Sequence, residues 1–268
     1  MELRDVRATA EATARAAGAA AMAYWLMPKS EQTKMNQYDI VTAGDKASEA
    51  VIVPALTAAY PDHRIVSEEG AGADAGAEDA EYFWYIDPID GTTNFAHNLP
   101  FFSVSIAMAD RNMRPLVGVV YNPVADEMFS AHRGGGATLN GTPIHVTDTD
   151  NISACLLATG FPPMKEVAMA WNSTWTAMMF QARDVRRFGS AALDLAFVAS
   201  GRLDGFWESH VHAWDVMAGL LLVEEAGGKL TDFEGAQGPQ LYNGEAVIAT
   251  NGPIHDIVLS VVQQRDQS

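Results

Sequence analysis

The densest cluster of reactive side chains is Asp87-Pro88-Ile89-Asp90-Gly91-Thr92-Thr93-Asn94, directly after the aromatic and apolar run Tyr82–Ile86. Two carboxylates three residues apart at a strand end converge if the chain turns, and Pro88 and Gly91 permit that turn. Hard divalent cations such as Mg²⁺ take oxygen ligands, chiefly carboxylates supplemented by water and substrate phosphate. Read alone, the segment is equally an ordinary Asp/Pro/Gly surface turn. Ser67-Glu68-Glu69-Gly70 sets carboxylates at the end of a second β-prone run, where they are a cation site or a solvated charge pair. Trp214-Asp215 precedes the apolar stretch Val216–Ala226. An aspartate there caps the helix, or it binds a metal beside an N-terminus that favours anions. Asp39-Ile40-Val41-Thr42 with Asp45-Lys46 opens another helix and carries the same two readings.

These segments need strands and helices to position them. Residues 2–26 are rich in Ala, Arg and Glu without proline, which predicts a long opening helix. Val51, Ile52, Ala55, Leu56 and Ala59 recur at helical spacing within Asp45–Tyr60, and His63–Ser67 follows as a strand. Gly70–Ala80 holds no bulky apolar residue and reads as a loop. Strands are predicted at Tyr82–Ile86, Ser103–Ala109, Leu116–Tyr121 and Glu127–His132, separated by turn signals and largely antiparallel. After about residue 145 the pattern alternates. A strand at Cys155–Thr159 precedes helices at Met164–Gln181, Ala191–Ser200 and Val216–Ala226, strands at Leu203–Trp207 and Ala246–Ala249, and a last helix at Ile254–Gln264. Helices bracketing strand clusters imply a layered α/β (α+β) fold with two halves sharing an interface.

Composition narrows the function classes. The chain has 268 residues, with 34 Asp and Glu against 17 Lys and Arg, for a net charge of −17. So acidic a surface repels phosphate backbones and makes nucleic acid an unlikely partner, with Arg183, Arg186 and Arg187 the one local basic patch. Cys155 is the single cysteine, in an apolar run, and reads as a buried thiol in a reducing compartment. The Ala16–Met27 run resembles a signal peptide only superficially, because Glu2, Asp5 and Glu11 stand where a basic segment belongs. No stretch is apolar enough to span a membrane. A cytoplasmic protein is expected.

Taken together, D-x-V-T-x-x-D, S-E-E-G, D-P-I-D-G-T-T-N and W-D followed by E-A-G-G occur in one order along the chain. Gly189-Ser190-Ala191-Ala192-Leu193-Asp194, running on to Gly201-Arg202-Leu203-Asp204-Gly205, adds a fifth segment. Over about residues 34–235 the sequence closely resembles the inositol monophosphatase family, especially its bacterial members. The resemblance implies an αβαβα sandwich of the inositol monophosphatase/fructose-1,6-bisphosphatase type. It also implies an N-terminal lobe, 1–145, carrying most metal ligands, and a C-terminal lobe, 146–268, carrying Asp215 and the substrate pocket, with the site between them.

The resemblance further implies metal ligands at Glu68, Asp87, Asp90 and Asp215, with the carbonyl of Ile89. Two or three Mg²⁺ ions, replaceable by Mn²⁺, would assist attack of water on a phosphate monoester, and lithium would inhibit. Thr92 and Asp45 match the pair that orients the water and takes its proton, with Glu68 and Asp90 counted in the catalytic set. Gly91 and Thr92 would hold the phosphate through backbone N–H groups. Asp90, Gly189, Ser190, Ala191, Glu208 and Asp215 would meet the polyol, and Lys34 and Glu69 would support the ligands from behind. Glu208, seven residues before Asp215, would accept hydroxyl hydrogen bonds and repel a second phosphate. His212 falls near the site or on the surface, and Phe188 reshapes the pocket rim. The expected substrate is myo-inositol 1-phosphate, ahead of histidinol phosphate, a nucleotide 2′- or 3′-phosphate or fructose 1,6-bisphosphate. A regulatory protein binding transcription machinery is the reading from another class. A homodimer is implied by the resemblance alone.

Overall fold

The computed structural model describes residues 1–27, 32–33, 40–70, 79–161 and 172–264. The first helix, α1 (Leu3–Met22), buries Val6, Ala10, Ala14, Ala17 and Ala21, a stripe at three- and four-residue spacing. It ends four residues earlier than the composition suggests. A short hairpin, β1 (Gln32–Thr33) and β2 (Ile40–Val41), leads to α2 (Ala43–Ala59). The next elements are β3 (Arg64–Ser67), β4 (Tyr82–Asp90), the single-turn α3 (Thr92–Ala96), β5 (Ser103–Asp110), β6 (Pro115–Asn122), β7 (Glu127–His132), β8 (Ala137–Leu139) and β9 (Thr142–Pro143). Strands β3 to β9 form one seven-stranded sheet in chain order. Every neighbouring pair is antiparallel except β3 with β4.

The second half comprises β10 (Leu156–Thr159), α4 (Asn172–Gln181), β11 (Asp184–Arg186), α5 (Ala191–Ala199), β12 (Gly205–Ser209), α6 (Ala213–Glu225), β13 (Lys229–Thr231), β14 (Ala246–Thr250) and α7 (His255–Gln263). Its five strands run β11-β10-β12-β14-β13, parallel through the first three and antiparallel at β14. Helices α1 and α2 cover one face of the seven-stranded sheet, and α5 and α6 fill the space between the two sheets. Helices α4 and α7 pack on each other and on the outside of the second sheet. The molecule is an αβαβα sandwich.

The middle layer shows why α5 and α6 are apolar all round. A helix sandwiched between two sheets has no solvent face to keep polar. Leu193, Leu195, Val198, Val216, Leu220, Leu221 and Leu222 are all fully buried or nearly so. Close approach is set by small residues: a Cβ on Gly118 of β6 would lie 2.7 Å from the carbonyl oxygen of Ala218 on α6. That contact fixes how deep α6, and Asp215 in its first turn, sits against the first sheet. The four main strands and the helices read at Ala191–Ser200, Val216–Ala226 and Ile254–Gln264 match the structure. Of the helix read at Met164–Gln181 the part from Asn172 is seen, and its first residues, like most of the Gly70–Ala80 loop, lie outside the described residues. The short β8, β9, β11 and β13 were not anticipated, because runs of two or three residues carry no measurable alternation. Among the described residues, no helix is long and apolar enough to cross a membrane.

Two expectations follow from this packing. Gly118→Val forces α6 off the sheet and is expected to cost about 1–3 kcal/mol, read as a lower urea midpoint with an unchanged m-value. His255 is buried between the hydroxyls of Thr231 and Thr250, each 2.9 Å from a ring nitrogen. Burial, helped by the charge of Lys229, lowers its pKa to about 4. The unfolded chain therefore binds the extra proton first, and stability falls as pH drops from about 6.5 to about 4. In His255→Gln the urea midpoint is expected to decline less steeply than wild type across that window.

Candidate active site

Strand β4 does not stop at Ile86 as the turn signals suggest; it runs on through Asp90. In a regular strand two residues three apart point to opposite faces. The pairing of β4 with β5 shifts register between Asp87 and Asp90, and this irregularity lets both carboxylates reach one side. The Ile89 amide donates to Asp87 Oδ1 at 2.9 Å, which fixes the tight geometry between them. Gly91 then turns the chain at φ 98°, and a Cβ there would stand 3.1 Å from the carbonyl oxygens of Phe101 and Gly189. Both the backbone conformation and the close approach demand glycine.

Asp90 ties the two halves together. Its Oδ2 accepts from the Ser190 hydroxyl at 2.6 Å and from the Ala192 amide at 2.8 Å, so the carboxylate sits on the N-terminus of α5. Asn94 on α3 adds a second tie, donating to the carbonyls of Phe101 at 2.7 Å and Phe188 at 2.8 Å. The Phe188 ring stacks on Phe101 with centroids 4.6 Å apart, and Phe188 is not among the residues lining the cavity. It shapes the interior rather than the pocket rim.

Asp45 and Asp215 stand in equivalent places, each the third residue of its helix. Asp45 Oδ2 accepts from the Thr42 amide at 2.8 Å and its hydroxyl at 2.6 Å, completing a capping box. The other oxygen accepts from the Thr92 hydroxyl at 3.1 Å. Thr92 Oγ1 also lies 3.0 Å from the Ile89 carbonyl, so its one proton has two acceptors in reach. Asp215 Oδ2 accepts from the His212 amide at 2.7 Å. Cap and site are therefore not alternatives for these aspartates. His212 itself is exposed, at the start of α6 with its ring against Trp214.

A cavity of about 180 Å³ opens between the sheets. Glu68, Asp87, Ile89, Asp90, Gly91, Thr92 and Asp215 line one side of it. Gly189, Ser190, Ala191 and Glu208 line the other. Asp45 lies behind Thr92 and Glu69 stands beside Glu68, both off the lining, and Lys34 falls outside the described residues. Gly160, Arg187, Asp194 and Val211 also line the cavity; the sequence assigns none of them a role there and marks Arg187 only as part of a basic patch. Arg186 instead pairs with Asp184.

The acids are held at an electrostatic cost. Burial, then the charges of Glu68, Asp90 and Asp215, push Asp87 well above the ordinary carboxylate range. Burial and the charges of Asp90 and Glu68 do the same to Asp215. Asp90 is raised to about 6 by burial, offset by its hydrogen bonds from Ser190 and Ala192. Burial also raises Asp45, opposed by its bonds from Thr42. The charges acting most strongly on these groups are one another's. Among the described residues no three His, Cys, Asp or Glu side chains close around a single point as a finished cation cage. The donor chemistry nonetheless fits a hard divalent ion: carboxylates and one carbonyl converge on a cavity where Arg187 is the one cationic side chain among the described lining residues.

The fold agrees with what comparison with known proteins shows. The profile of the inositol monophosphatase family matches residues 2–267, and the chain belongs to that family. Nus factor SuhB of Haemophilus influenzae is 45% identical over 229 residues, covering 85% of this chain and 84% of its own. The structure of inositol monophosphatase from Anabaena superposes with a TM-score of 0.86 at 40% identity, covering 98% of this chain and 97% of that one. The extragenic suppressor protein suhB from Bartonella henselae gives 0.90 at 35% identity, over 97% and 99%. Family and fold together support a phosphatase.

Gly160 sets the space for Glu208, since a Cβ on it would fall 1.9 Å from Glu208 Oε1. The obstructing atom is a flexible side-chain tip, so Gly160→Ala is expected to fold with nearly unchanged Tm. Its crystal structure should show the Glu208 carboxylate displaced from the cavity.

Proposed function

We propose that the protein hydrolyses the phosphate monoester of a small polyol with the help of Mg²⁺, and that myo-inositol 1-phosphate is its substrate. The observation that carries this reading is the convergence of Glu68, Asp87, Asp90 and Asp215, from three separate chain segments, on one cavity beside the Thr92–Asp45 hydrogen bond. Those carboxylates and the Ile89 carbonyl would hold two or three magnesium ions. When bound, the metal supplies positive charge to the phosphoryl oxygens and acidity to the attacking water.

The chain's own groups do the rest. Thr92 Oγ1, already donating toward Asp45 Oδ1, accepts a hydrogen bond from the water and aligns it; as the water attacks, its proton passes to Thr92 Oγ1 while the Thr92 proton passes to Asp45. The backbone N–H groups of Gly91 and Thr92, presented by the left-handed turn, hold phosphate oxygens. Ser190 and Ala192 keep Asp90 in one orientation, so it serves the ions and a substrate hydroxyl without rotating. Gly189, Ser190 and Ala191 form the polyol side of the cavity with Glu208. Burial raises Glu208 to about 8, with Arg187 opposing. A carboxyl kept neutral by burial can both donate to and accept from hydroxyls, which suits a polyol phosphate.

A second role is supported by the relatives named Nus factor SuhB. We propose that the protein also binds transcription machinery, a partner chemistry that its net charge alone argues against. The two roles can coexist in one protein.

Phosphate release with Mg²⁺ is expected to be most efficient on myo-inositol 1-phosphate within a panel of histidinol phosphate, nucleotide 2′- and 3′-phosphates and fructose 1,6-bisphosphate. Asp215→Asn is expected to lower kcat at least about 100-fold and weaken Mg²⁺ binding while keeping the circular dichroism spectrum. Full turnover in that variant would remove Asp215 from the site. Affinity capture from lysate with and without Mg²⁺, read by the presence of RNA polymerase and its factors, tests the second role.

A further inference from the structure

The polyol side of the cavity holds a carboxyl that the reading above leaves without a task. Asp194 sits in the first turn of α5, is 1% exposed, and still lines the cavity. Its Oδ1 is buried with no hydrogen-bond partner. Buried polar groups almost always find partners, so a lone buried carboxylate oxygen needs a reason. Capping does not supply one. The N-terminus of α5 is already served by Ser190, which accepts from the Leu193 amide at 3.4 Å, and by Asp90, which accepts from Ala192.

Nor is Asp194 half of an ion pair. The charged groups facing it are Glu208 on β12, Asp90 on β4 and Arg187 before α5. Two of these three are negative. Arg187 is exposed, and no ion pair among the described residues joins it to Asp194. Burial first, then Glu208 and Asp90, raises the Asp194 carboxyl well above its ordinary range. The arrangement costs stability without a structural return, the pattern expected where a side chain is kept for a ligand.

Glu208 faces the same space, with its position kept open by the missing side chain at Gly160. We infer that Asp194 is a specificity residue of this cavity, forming with Glu208 a two-carboxyl wall that hydrogen-bonds neighbouring hydroxyl groups of the substrate remote from its phosphate. The inference rests on the proposed phosphatase activity and adds the substrate feature being read, an adjacent pair of hydroxyls. Losing a hydroxyl then leaves a buried carboxyl unpartnered again, which is how a polar wall discriminates strongly.

The test compares wild type with Asp194→Asn and Asp194→Ala on two substrates, myo-inositol 1-phosphate and 4-nitrophenyl phosphate, which lacks hydroxyls. The ratio of kcat/KM for the polyol to that for the aryl phosphate is expected to fall about tenfold or more, through KM for the polyol. Tm of Asp194→Asn is expected to equal or exceed that of wild type. An unchanged ratio in folded variants would overturn the inference. So would a lowered Tm with equal losses on both substrates, the signature of a structural residue. If wild type hydrolyses neither compound, the phosphatase reading fails first and the role of Asp194 falls with it.

Discussion

Mutual repulsion among buried carboxylates is the constraint around which this molecule is arranged. Asp87, Asp90 and Asp215 are driven toward their neutral forms by burial and by each other, with Glu68 adding to the same field. Left to relax, such groups would turn outward to water. Hydrogen bonds to one oxygen of each aspartate, mostly from backbone amides, oppose that. The Ile89 amide holds Asp87, the N-terminus of α5 holds Asp90, and the His212 amide holds Asp215. A divalent cation held there would offset this repulsion, because its charge attracts every one of these carboxylates.

The sandwich supplies the rigidity that this demands. Asp87 and Asp90 sit on β4, inside the seven-stranded sheet; Asp215 sits on α6, wedged against that sheet where Gly118 meets Ala218. The opposite wall of the cavity comes from α5, the residues just before it and β12, in the second half. Asp90 and Asn94 cross between the halves, so the cavity wall and the layer interface are one set of bonds. The bare Gly160 leaves room for Glu208 on that wall.

Much of this was legible in the sequence, and the reasons differ by residue. The D-P-I-D-G-T-T-N segment shows two carboxylates near a turn, and only its company with the other acidic segments in one order sets it apart from an ordinary surface turn. The layered fold is legible because α5 and α6 are apolar throughout and the middle strands alternate with clear turns. The register shift inside β4 was not legible: it depends on how β5 pairs with it, a property of two segments and not one. The capping spacing at Asp45 and Asp215 offered two readings because local sequence cannot say where a helix N-terminus points. Asp194 passed unmarked for a related reason. A single Asp in a helical run shows no sign of burial until the two sheets close around it.

Diffraction from crystals grown with Mn²⁺, recorded at the manganese edge, tests the central claim most directly. Anomalous peaks are expected inside the cavity, within coordination distance of carboxylate oxygens from Asp90 and at least two of Glu68, Asp87 and Asp215. Crystals saturated with Mn²⁺ that show no peak there, with the four side chains turned away from one another, would contradict the account.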